Sequence, residues 1–273
     1  MASYQPVSTT APPAYDPTKT TNTAGTPGYG STSLDESRPV NAVDPDDDFK
    51  FGTTVDSCDL IIRMGFIRKV YTILLTQIIS TTIIGAFMMS NESVKTWVQA
   101  NHWMMLTAVI GSFASLLALF WKRQSYPTNF YLLALFTTVE AYTVGTVTSY
   151  YDSKIVLEAL VLTTGVFLAL TLFTFQTKYD FVSWGSFLYM ALWGMVMVGF
   201  VGMFFPHNSG FELAYSGFGC LVFSGYILYD TQMIIKHHSV DEYIMASVSL
   251  YLDLINLFLN ILRILNQMNN NNN

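Results

Sequence analysis

From about residue 66 onward the apolar positions come in blocks, each close to the ~20 residues that cross ~30 Å of hydrocarbon. A soluble core helix would instead alternate apolar and polar faces. Charged residues, polar residues or Pro bound each block, and the pattern predicts seven spans at about 67–90, 103–121, 130–151, 155–176, 181–205, 211–235 and 243–265. The weakest boundary lies between the third and fourth spans, where only Tyr151, Asp152, Ser153 and Lys154 punctuate the chain. A tight turn satisfies it; fusing or removing one segment would leave six. The predicted fold is all-α, a polytopic membrane protein built as a seven-helix bundle. Residues 1–48 are rich in Ser, Thr, Pro, Gly and Asp with hardly a large aliphatic side chain, so they cannot bury enough surface to offset their ordering entropy and read as a disordered tail. The stretch from Phe49 to Arg63 mixes apolar and charged residues and reads as an interfacial lead-in to a transmembrane domain over 49–268, with a poly-Asn tail at 269–273.

Composition agrees with this solvent. Of 273 residues 51% are hydrophobic and only 12% charged, against the roughly 25% of an ordinary soluble domain. The net charge of -6 gathers in the tail, and Lys and Arg are scattered at segment ends, which excludes a nucleic-acid surface. With the N-terminus in the cytosol, the inner flanks hold seven cations (Arg63, Arg68, Lys69, Lys122, Arg123, Lys178, Lys236) and the outer flanks three (Lys95, Lys154, Arg263). The positive-inside rule therefore expects a cytosolic N-terminus, and seven spans then put the C-terminus on the lumenal side. That orientation argues against a receptor coupled to a G protein. The N-terminus has no basic region followed by an apolar stretch, so no cleaved secretory signal is expected. Cys58 and Cys220 cannot make a disulfide framework or a metal site.

An ionised side chain in hydrocarbon costs at least ~2.5 to 3.5 kcal/mol, so charges inside spans face the bundle interior and mark function. Four stand out: Glu140, Asp230, Asp253 and Arg263. Glu140 lies halfway along the third span, with Thr137 and Thr143 a turn to either side; it is either a pore group or a carboxyl that ties two helices together. In the seventh span Ser249, Asp253, Asn256, Asn260 and Arg263 recur at spacings of four, three, four and three, one narrow polar stripe on a Leu/Ile/Phe cylinder. Such a stripe faces other helices or a water-filled cavity. Asp230 lies ~9 Å from the cytosolic end of the sixth span, and Asp253 ~16 Å from that of the antiparallel seventh, at 1.5 Å per residue. Tilt or a break would close that offset of about one turn. Two carboxyls at hydrogen-bond distance cannot both ionise easily, so the pair would hold a proton and release it as pH rises. His237 and His238 end the sixth span, but neighbouring residues on a helix diverge and do not share a metal.

The chain resembles the Bax inhibitor family of transmembrane proteins, in its Lifeguard branch, and looks like a fungal member. The likeness covers about residues 49–266 and rests on GFIRKVYTILLTQ, FTTVEAYTVGTVTSYYD, YILYDTQMIIKHH and SLYLDLINLFLNILRIL. The resemblance implies a bundle whose seventh helix is central. It further implies a calcium leak channel of intracellular membranes (reticulum, Golgi or vacuole) and an inhibitor of cell death, with death regulators as partners. In that family the aspartates matching Asp230 and Asp253 form a pH-sensing pair in the pore, where Ca²⁺ would be transported and only transiently bound; the Arg matching Arg263 makes a polar contact near the other mouth. Bacterial relatives carry an acid in the second span, where this chain reads VIGSFAS, so Glu140 is a candidate substitute and the partner of Arg263 stays open. No cofactor and no enzymatic activity are implied. A rival reading is an intramembrane aspartyl protease, which also uses aspartates on its sixth and seventh spans; its Gly-x-Gly-Asp motif is missing, with Leu250, Tyr251, Leu252 and Asp253 in those places. A third is a non-conducting scaffold for death regulators. In the tail, Pro12, Pro13 and Tyr15 spell P-P-x-Y, a ligand for the WW domain of a ubiquitin ligase. The run Asp46 to Asp48 reads as solvated.

Overall fold

A computed structural model describes residues 60–202, 204 and 209–272. They form eight α-helices: α1 (Leu60–Ser90), α2 (Glu92–Ala100), α3 (His102–Trp121), α4 (Thr128–Thr148), α5 (Ser153–Gln176), α6 (Gly185–Gly202), α7 (Ser209–Lys236) and α8 (Tyr243–Asn272). All but α2 belong to segments long and apolar enough to cross a membrane, which gives seven spans. The doubtful boundary is a true break. Asp152 Oδ1 accepts the backbone N–H of Lys154 at 2.8 Å and caps α5, so a new helix begins directly after α4 ends.

Three details differ from the sequence pattern. α1 starts at Leu60, absorbing the last residues of the lead-in, because nothing from Leu60 to Arg68 breaks a helix. α2 lies in the loop between the first two spans; Asn91 Oδ1 caps it by accepting from Ser93 and Val94, Val98 turns inward, and Trp97 stays exposed. It is short and amphipathic, so a search for 20-residue apolar blocks passes over it. α8 continues through Asn272, so the Asn run continues the helix. The P-P-x-Y motif (Pro12, Pro13, Tyr15), Asp46 to Asp48 and Cys58 lie outside the described residues.

α8 is the axis of the bundle. α7, α1, α5 and α4 pack around it, and Leu250, Tyr251, Leu257 and Leu262 are wholly or almost wholly buried. At the other extreme α3 packs on α4 and hardly elsewhere, with Leu117 70% exposed. That exposed face is what a helix bordered by lipid requires. Lipid tails are as apolar as Leu, so close packing and polar ties must hold the helices together. Gly85 approaches Gly145 between α1 and α4, and Gly225 receives Leu188 between α7 and α6. Gln77 Nε2 donates to Thr137 Oγ1 at 3.0 Å across α1 and α4, and the hydroxyls of Thr81 and Tyr251 meet at 2.7 Å across α1 and α8. Gln232 of α7 clamps the segment before α6: its Nε2 donates to Tyr179 O at 2.9 Å and its Oε1 accepts from Phe181 N.

Candidate functional site: a carboxyl pair between α7 and α8

α7 and α8 form the most extensive helix contact among the described residues. The approach is close because α7 offers glycine where α8 offers a polar side chain: a Cβ on Gly219 would lie 2.5 Å from Asn260 Oδ1. Both helices run unbroken, so the depth offset expected between Asp230 and Asp253 is closed by crossing and tilt, not by unwinding. Their side chains come within hydrogen-bonding reach of each other. Asp253 is 6% exposed, and its Oδ2 is buried with no donor among the described residues. Two facing carboxylates would leave buried acceptors and no proton, at a cost of several kcal/mol. One proton shared across the pair would supply a donor. Tyr226, one turn before Asp230, lies close enough to both carboxyls to sense their charge. Its i, i+4 spacing to Asp230 was the available signal, and the pattern of charges alone passes over it.

The rest of the stripe divides. Asn256 Nδ2 donates back to Leu252 O at 2.8 Å, and Asn260 Nδ2 to Asn256 O at 2.8 Å. Asn260 Oδ1 is buried and, like Asp253 Oδ2, reaches no donor among the described residues. Ser249 is half-buried, near the start of α8. Arg263 is exposed and lines a polar cavity of about 340 Å³ with Tyr151, Tyr215, Ser216 and Glu212. Glu212 itself accepts from Gln267 Nε2 at 3.1 Å. The acid that shares a cavity with Arg263 is therefore on α7.

Glu140 sits elsewhere. Ser112 Oγ of α3 donates to its Oε2 at 2.6 Å, and the α8 residue that senses its charge is Tyr251, which the helical period turns away from the stripe. Ser112 belongs to the VIGSFAS segment, so that segment supplies a hydroxyl donor to Glu140. At the α7–α8 turn, Glu242 pairs with Arg123 at 3.1 Å and with His238 Nδ1 at 3.5 Å, while Lys69 Nζ stands 3.2 Å over the Tyr243 ring. His237 stands beside His238 and acts on it only through its charge. Among the described residues no three His, Cys, Asp or Glu side chains converge as a metal site.

Comparison with known proteins gives one family, described as inhibitor of apoptosis-promoting Bax1, whose model matches residues 63–271. The chain is 41% identical to the protein named Bax inhibitor 1 of Schizosaccharomyces pombe, across the whole of this chain and 99% of that one. It is 42% identical to the Golgi anti-apoptotic protein of vaccinia virus, over 82% of this chain and 94% of the viral one. To Protein lifeguard 4 of Mus musculus it is 38% identical, over 89% and 97% of the two chains.

Proposed function

This chain belongs to the Bax inhibitor family of transmembrane proteins, and from that membership we propose that it is a calcium leak channel of an internal membrane, gated by the proton shared between Asp230 and Asp253. The observation that carries the reading is the buried Asp253 Oδ2, which has no donor among the described residues while the Asp230 carboxyl stands beside the same side chain. In the protonated state the shared hydrogen bond holds α7 to α8 and the path along the stripe is shut. Loss of the proton places two negative charges in a low-dielectric interior, where repulsion drives the helices apart. The same step turns both residues into hard oxygen ligands, the chemistry that Ca²⁺ prefers over its hydration shell. Calcium then moves down its gradient past Asn256 and Asn260, and both acids touch it only in transit.

The charge asymmetry of the flanks supports a cytosolic N-terminus, with the pair toward the cytosolic side. The viral relative's name supports a Golgi location, and reticulum or vacuole fits the same chemistry. The names of the yeast and viral relatives support a part in restraining cell death, through calcium homeostasis or through death-regulator partners, without catalysis. Pro12, Pro13 and Tyr15 would recruit a WW-domain ubiquitin ligase and set the protein's turnover.

The test is purified full-length protein in liposomes carrying a calcium dye. The expected result is a leak that grows as pH rises. No calcium flux between acidic and alkaline pH sinks the proposal, and cleavage of a membrane peptide that either aspartate substitution abolishes would assign the pair to a protease.

A further inference from the structure

α1 packs against α4 and α8, and α5 packs against α8 and α7; α1 and α5 meet where the Tyr71 ring approaches that of Phe175 at 6.4 Å, and diverge from Leu75 onward. Between them a crevice of about 490 Å³ remains, with Leu254, Ile255 and Phe258 of α8 as its back wall. Its lining runs from Leu75 to Ser90 on α1 and from Ser153 to Leu168 on α5, each about 22 Å of helix at 1.5 Å per residue. That length reaches from one membrane surface past the middle of the ~30 Å hydrocarbon core.

No lining residue is charged, and the deeper hydroxyls are satisfied at home: Thr163 donates to Ala159 O at 2.7 Å, Thr164 to Leu160 O at 2.8 Å, and Thr81 meets Tyr251. The slot is long and apolar, about 22 Å of helix wall with an uncharged lining, a form that suits a chain-shaped hydrocarbon. Next to Ser153, which lines the crevice, the α5 N-terminus carries Lys154, 83% exposed and 4.0 Å from Glu158. Exposed Tyr150 and Trp97 stand near the same end of the bundle, where amphipathic rings mark the headgroup level. A cation at that depth, above an uncharged slot, complements a phosphate with an acyl chain below it.

We propose that the crevice between α1 and α5 binds one acyl chain of a phospholipid from the leaflet at this end of the bundle, with Lys154 meeting its phosphate. The chain then lies against Leu254 and Ile255, the two residues that follow Asp253, and props α8 from the side opposite α7. This site stands independently of the channel reading.

The test uses full-length protein in nanodiscs containing a phosphatidylcholine with a diazirine on one acyl chain, with a diazirine sterol in parallel. After illumination, label from the phospholipid should concentrate on peptides carrying Ala86, Thr164 and Phe258. Ala86→Phe or Thr164→Phe, which fill the slot, should lower that label several-fold. Lys154→Glu should lower it less, and Val196→Phe on the lipid-facing side of α6 should leave it unchanged. Thermal midpoints in detergent identify any misfolded variant, and Thr164→Leu serves where the larger ring is not accommodated. Label spread evenly around the lipid-facing belt, label that neither slot-filling variant reduces, or label carried by the sterol instead, overturns the proposal.

Discussion

Two helix pairs in this protein hold a carboxyl inside the membrane, and they solve the same electrostatic problem in opposite ways. Between α3 and α4, Glu140 meets a hydroxyl donor, Ser112 Oγ at 2.6 Å. Between α7 and α8, Asp253 meets another carboxyl, and its Oδ2 reaches no donor among the described residues. The first arrangement ties a peripheral helix to the bundle through a hydroxyl donor. The second, on the proposed function, takes its donor from a proton, and its geometry would then depend on pH. The position differs as well: α8 is the most buried span and α3 the least, so a change at the carboxyl pair reaches every neighbour of α8.

The largest effect should come from the pair itself. If one shared proton closes the path, deprotonation favours the open state, and leak should rise about tenfold per pH unit on the acid side of the transition. Asp253→Asn keeps the volume and the hydrogen bond but removes a charge, and should cut calcium entry at high pH; Asp230→Ala should loosen closure at low pH. Dye-loaded liposomes measure both, and a full wild-type pH response in the two variants breaks the contrast with Glu140. Glu140→Gln, which can still accept from Ser112, should leave the pH response intact, whereas Glu140→Ala should cost about 1–2 kcal/mol of stability in a detergent melt.

Glycines sharpen the comparison next. Gly219→Ala puts a Cβ 2.5 Å from Asn260 Oδ1 and should destabilise the fold by about 1–3 kcal/mol, while Gly111→Ala on α3 meets Val139 Cγ1 at an ordinary 3.6 Å and should be neutral or slightly stabilising. Equal melting shifts would mean that the α7–α8 contact is no tighter than the α3–α4 one.

The smallest effect belongs to the turn between α7 and α8. Burial holds the His238 pKa below its ordinary 6.5, and Glu242 pulls it partly back. The folded protein therefore binds fewer protons than the unfolded chain, so the stability from this residue is full above that value and is lost as pH falls toward the lower folded one. His238→Gln should flatten that acid-side loss, by less than about 1 kcal/mol, when melts are compared from about pH 7.5 to about pH 5. The same substitution should not move the pH midpoint of the leak; if it does, the histidine and not the carboxyl pair sets the response.

Hydrophobic block length made seven spans legible, because the cost of an unsatisfied backbone in hydrocarbon leaves few alternatives to helices of about 20 residues, and the break at Asp152 decided against six. The stripe at Ser249, Asp253, Asn256, Asn260 and Arg263 was legible for a related reason: a period of 3.6 residues turns five scattered polar positions into one face. The amphipathic α2 was not legible, since its nine residues carry no membrane-length signal. Partnership was legible for Asp230 and Asp253, whose depths on adjacent spans nearly match, and not for the other polar groups. Which donor meets Glu140, which acid shares a cavity with Arg263, and the slot left between α1 and α5 all depend on where helix axes cross. Periodicity fixes the direction of a side chain on its own helix; only the packing of several helices fixes what stands opposite it.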